Sequence, residues 1–71
     1  MAYFKIAEPN KDVKYIKSID RANATLEFSH TKDGCMQRDS GFFAESELEY
    51  LKFHFTKKYP EIEYVSIEGR Y

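Results

Sequence analysis

The sequence predicts an α+β fold: a three- or four-stranded, mainly antiparallel sheet with one helix packed on a face, in the order β-β-β-α-β. Three observations carry this. The first thirty residues hold three short runs of strand-type residues separated by clusters of turn formers. A later stretch, ending before Pro60, spaces its apolar residues at helical intervals, with glutamates early and lysines late. Beyond Pro60 the residue types turn β-branched again, in EIEYVSI.

Each element has its own reason. In AYFKIAE, Ala2, Phe4 and Ile6 alternate with Tyr3, Lys5 and Ala7, the pattern of a half-buried strand. PNKD, at residues 9–12, ends it. VKYIKSI, at residues 13–19, is a second strand with broken alternation: Val13, Tyr15, Lys17 and Ile19 fall on one face and Ile16 on the other. DRANA turns the chain into TLEFSH, with Leu26 and Phe28 inward, and a loop of this length suits an antiparallel hairpin. TKDG is a further turn, with Gly34 available for positive φ. Residues 35–40 fit a short edge strand or an irregular crossing equally well.

The helix starts at Ser40 or Ser46; Ser46-x-x-Glu49 matches a capping box and favours the second. Glu45, Glu47 and Glu49 then suit the positive end of the dipole, Lys57 and Lys58 the negative end. Pro60 stops it. Residues 61–67 form the last strand, and EGRY is a loose tail of the single domain 1–71. At about 100° per residue, Ala44, Leu48, Leu51, Phe55 and Tyr59 make one stripe roughly 80° wide, with Phe43, Tyr50 and His54 on its flank. The expected core is Phe4, Ile6, Ile16, Leu26, Phe28, Leu48, Leu51, Phe55 and Val65. Phe53 points about 160° away from the stripe. One sheet cannot bury both Leu51 and Phe53, so Phe53, with Tyr50 and the stem of Lys57, is the candidate contact patch for a protein partner. A symmetric homodimer would need only one such face per chain.

Composition narrows the function. A chain of 71 residues buries only about 60% of its unfolded surface. The lone Cys35 cannot form an internal disulfide, and no Cys/His cluster offers a zinc site. Six Phe and six Tyr supply packing area instead. Eleven basic against twelve acidic side chains argue against a strong sequence-independent grip on nucleic acid. MAYFKIAEPNKD lacks an apolar run long enough for a signal peptide and no later segment reaches membrane-spanning length, so a cytoplasmic location is expected.

Catalytic patterns are weak. Ser29, His30 and Asp33 have the residue types of a triad, but adjacent strand residues point to opposite faces. The pairs Glu45/Glu47 and Glu61/Glu63 read as solvated faces. Cys35 reads as a small buried or half-exposed thiol, with Lys32 and Arg38 near it in sequence. No enzymatic activity, cofactor or metal is expected. The alternative to protein binding is a single-stranded nucleic-acid surface on the first hairpin, from Tyr3, Lys5, Lys14, Tyr15 and Lys17, combining stacking rings with phosphate-seeking cations. The first forty residues carry seven basic and six acidic groups, which ranks this second.

From YIKSIDRANATLEFSHTKDG through the aromatic helix SELEYLKFHFTKKYP, residues 15–60, the chain resembles small, mostly uncharacterised proteins carried by phages and mobile elements of Gram-positive bacteria. That resemblance implies an accessory role inside the cell, binding a host or phage protein, and assigns no residue a role.

Overall fold

Ala2, Phe4 and Ile6 are buried while Tyr3 and Lys5 between them are not, and this alternation is the strand β1 (Ala2–Ile6). The computed structural model describes residues 1–38 and 41–69, the side chains of 41–43 apart. Three further strands, β2 (Lys14–Asp20), β3 (Thr25–Ser29) and β4 (Val65–Gly69), complete an antiparallel sheet in the order β3-β2-β1-β4. One helix, α1 (Gly41–His54), packs on the face that carries Phe4 and Ile6. The fold is the α+β arrangement expected.

The broken alternation of β2 has a physical cause. Ile16 pairs with Phe28 and Ile19 with Leu26, and the register slips by one residue between Ile16 and Ser18. Lys17 is the extra residue of a β-bulge, which lets Ile16 and Ile19 share the core face despite their odd spacing. The expectation that opposed them is corrected. At the tip of the hairpin the Asp20 carboxylate accepts from the backbone and side-chain nitrogens of Asn23 at 3.2 and 2.8 Å, and Ala24 adopts φ 52°. The side-chain bonds hold the Asp20 carboxyl below its ordinary value.

Segment 35–38 is an irregular crossing. β1 and β2 pair at Lys5↔Tyr15 and Ile6↔Lys14. Beyond them Met36 N–H donates to the Ile16 carbonyl at 3.1 Å, and Arg38 and Ala2 exchange two backbone bonds at 2.8 and 2.7 Å. The crossing thus satisfies backbone groups that the splayed strands leave to each other. Gly34 sits in a 3-10 turn, Lys32–Gly34, and not at positive φ. A Cβ there would lie 2.7 Å from Ser29 Oγ, so close approach favours glycine: a larger residue would push that hydroxyl off its bonds to Thr31.

Helix α1 starts at Gly41, which places Ser46 and Glu49 inside it and removes the capping-box reading. Ser40 lies outside the described residues. Its end also differs. α1 stops at His54, turns follow, and Pro60 opens a 3-10 helix, Pro60–Tyr64, instead of closing the α-helix. Proline suits such a first position because its missing N–H has no partner to lose. That 3-10 helix buries Ile62, so the last strand begins at Val65 and not at 61. Glu68 and Gly69, expected in a loose tail, pair with Tyr3 and Ala2; Arg70 and Tyr71 lie outside the described residues.

The buried core is Ala2, Phe4, Ile6, Ile16, Leu26, Ala44, Leu51, Phe55, Ile62 and Val65, with Phe28 and Leu48 half-buried at its rim. Tyr59 ties this core to the outer edge of β3: its ring packs edge-on against Phe28 at 5.7 Å and its hydroxyl accepts from Leu26 N–H at 3.1 Å.

Candidate interaction surface

Phe53 is 83% exposed, the most open of the large apolar side chains among the described residues. It does not stand alone. Its ring meets His54 edge-on at 4.8 Å, His54 lies 4.3 Å from Tyr50, and the Arg21 guanidinium covers the Tyr50 ring at 4.2 Å. Tyr50 is half-buried and reaches inward to Phe55 at 6.0 Å. An aromatic ridge therefore runs from the hairpin tip, across α1, to a largely exposed phenyl ring. The cation–π contact holds Arg21 against it. Lys57 is exposed in the turn that follows α1, and Lys52 and Lys58 are exposed close to it in sequence.

Arg21 and His54 were not in the expected patch. Helix geometry placed His54 on the same flank as Tyr50, which was the available signal. Arg21 had none, because only the tertiary fold brings the β2–β3 loop to the helix.

The residues assigned to nucleic-acid binding are divided by the sheet. Tyr3, Lys5 and Tyr15 share the helix-free face, where the two tyrosine rings lie 5.8 Å apart and Lys32 sits 5.3 Å over Tyr3. Lys17 is exposed at the bulge. Lys14 is on the opposite face, paired with Ile6; its Nζ lies 4.0 Å over Phe28 and donates to Glu61 Oε2 at 2.8 Å. Glu27 and Glu68 occupy the same open face as the tyrosines, since their neighbours Leu26, Phe28 and Ile67 pack on the core side. These two carboxylates reduce the positive field of that face.

Two glutamates expected as solvated are engaged. Glu47 is 8% exposed and takes a bidentate hold from Arg38, Nε to Oε2 at 2.8 Å and Nη2 to Oε1 at 2.6 Å. That contact pins the crossing to α1 and raises the Arg38 pKa. Burial pushes the Glu61 carboxyl up, but the hydrogen bond from Lys14 and its charge outweigh this, and the net shift is downward. A carboxyl lowered on folding stabilises above its ordinary range near 4.3, and that contribution disappears as pH falls through the folded value. Glu61→Gln should therefore flatten the acid limb of a plot of melting temperature against pH, and an unchanged limb would show that Lys14–Glu61 does not contribute.

The remaining chemistry is sparse. Glu8, Lys11, Pro60, Glu61, Glu63 and Tyr64 line an open cleft of about 390 Å³. Glu8 is paired with Lys11 at 3.1 Å. Ser29 Oγ donates to the Thr31 carbonyl at 2.8 Å and accepts from Thr31 N–H at 3.1 Å, a local turn that commits the hydroxyl. Cys35 Sγ lies 2.9 Å from the Lys32 carbonyl, and burial raises its pKa, away from a reactive thiolate. Among the described residues no cluster of three His, Cys, Asp or Glu could hold a metal, and no helix is long and apolar enough to cross a membrane. No protein-family model, curated protein or solved structure matches the chain.

Proposed function

We propose that the chain is a non-enzymatic protein-interaction module whose contact surface is the ridge of Arg21, Tyr50, His54 and Phe53. The observation that carries this reading is the 83% exposure of Phe53 at the end of a continuous run of rings. Scattered exposed apolar residues are ordinary, but an exposed ring joined through exposed His54 to half-buried Tyr50 offers a partner a hot spot anchored on one side. Lys52, Lys57 and Lys58 are exposed close to Phe53 in sequence, Glu49 is exposed one helical turn before it, and Arg21 stands at the other end of the ridge. The balance is basic, so the partner chemistry that fits is an apolar pocket with carboxylates at its rim. The resemblance to phage and mobile-element accessory proteins fits a host or phage protein in that role, met in the cytoplasm.

Phe53→Glu tests the reading, because it reverses both the apolarity and the charge preference at an exposed position. Affinity capture with immobilised wild-type chain and with the variant should yield a protein retained only by the wild type. Hot-spot truncation typically costs at least about 2 kcal/mol, roughly 30-fold in affinity. Equal retention by both chains would overturn the assignment of the ridge.

A further inference from the structure

The two outer edges of the sheet are treated differently. On β3, the outward Leu26 N–H is occupied by the Tyr59 hydroxyl, and the Tyr59 ring covers Phe28 beside it. One outward donor of that edge is thereby occupied and its middle covered by a ring. On β4 the backbone direction follows from β1. Ala2 spends its N–H and carbonyl on Arg38, on the side away from β4, and Ala7 N–H points the other way, to the Tyr64 carbonyl at 3.4 Å. Backbone groups alternate along a strand, so Tyr3 and Lys5 bond to Glu68 and Ser66, and the N–H and carbonyl of Ile67 point outward. Among the described residues neither has a hydrogen-bond partner. The strand reads VSIEG, with neither of the devices, proline or lysine, that commonly blunt an edge.

We propose that β4 is a homotypic docking edge: a second copy of this chain adds its own β4 antiparallel, about a two-fold axis at Ile67, making one eight-stranded sheet. The sequence selects this register. Centring on Ile67 uses all five residues of the strand, and forms about four intermolecular backbone bonds, since Val65 N–H is already given to the Ile62 carbonyl. It sets Ile67 against the partner's Ile67 at the edge of the core face, and Ser66 against the partner's Glu68 on the open face. Centring on Glu68 instead would oppose two like charges, and centring on Ser66 would run Glu68 past the end of the partner strand. The edge is distinct from the Phe53 ridge, so self-association and capture of another protein occupy separate surfaces.

The experiment is solution molar mass by light scattering at chain concentrations up to about 1 mM. Wild type should approach twice the 8.4 kDa of one chain. Ser66→Glu places a second acid opposite the partner's Glu68 at both ends of the interface, and should return the mass to that of one chain. Adding Glu68→Lys to Ser66→Glu makes the opposed pair complementary and should restore the dimer, which a variant that had merely misfolded could not do. Ile67→Pro removes the outward N–H, with the Ile67 side chain's packing on the core, and should also give a monomer, its circular dichroism showing that the fold is retained. Phe53→Glu should leave the mass unchanged, so failure of the ridge and failure of the edge are separable. A monomeric wild type, or a dimer that Ser66→Glu leaves intact, would overturn the proposal.

Discussion

Phe55→Ala is expected to remove a large part of the stability of this domain, whereas Phe53→Ala, two positions earlier, should change it by no more than about 0.5 kcal/mol. Phe55 is 1% exposed, lies 6.0 Å from the Tyr50 ring and stacks on Tyr59 at 6.4 Å and 22°. Truncating a buried phenylalanine costs about 3–5 kcal/mol. A domain of this length carries only about 4–11 kcal/mol in total, at roughly 0.05–0.15 kcal/mol per residue. The loss also propagates. Tyr59 is held between Phe55 and Phe28, and its hydroxyl closes the β3 edge at Leu26, so an empty Phe55 site loosens helix and sheet edge together. Urea unfolding of both variants would measure the contrast. A cost below about 1.5 kcal/mol for Phe55→Ala, under the usual range for such truncations, would mean that the ring is not packed as described.

That contrast also shows what was legible in the sequence. Phe53 and Phe55 are the same residue type in one helical stretch, and 3.6-residue periodicity alone separates them. Periodicity likewise placed Phe4, Ile6, Leu26, Leu51 and Val65 in the core correctly. It failed where local geometry departs from the ideal. The bulge at Lys17 reverses the apparent face of Ile19, and no residue in KYIKSID announces it. Ser46 had genuine capping chemistry, yet the helix extends past it to Gly41 because Ala44 and Glu47 both find partners in the fold. Pro60 reads in the sequence as a stop, but the start of a 3-10 turn is equally consistent with its fixed φ. Glu47 looked like a surface acid because its partner, Arg38, comes from the one segment whose course had no periodic signal. Arg21 on Tyr50 was hidden for the same reason: a contact between loop and helix leaves no pattern within either.

Arg38 and Glu47 give the second large effect. Glu47 is the one buried charged residue among those described, and Arg38 supplies both of its oxygens with donors. Arg38→Ala should strand that carboxylate in the seam between α1 and the crossing. Removing one partner of a fully buried pair costs about 3–5 kcal/mol. The Arg38 side chain is 35% exposed, so solvent already screens part of the interaction and about 2–3 kcal/mol is the expected loss. The reverse truncation, Glu47→Leu, should cost less, because a guanidinium that open can turn to water and leaves no charge buried. The double variant Arg38→Met/Glu47→Leu removes both charges and fills the seam with apolar atoms; its stability should fall within about 1 kcal/mol of wild type, in either direction. Urea unfolding of wild type, Arg38→Met, Glu47→Leu and the double variant forms a closed cycle whose coupling energy isolates the pair. If Arg38→Met and Glu47→Leu add in the double variant, the pair is not coupled, and the crossing is held only by the backbone bonds of Met36 and Arg38.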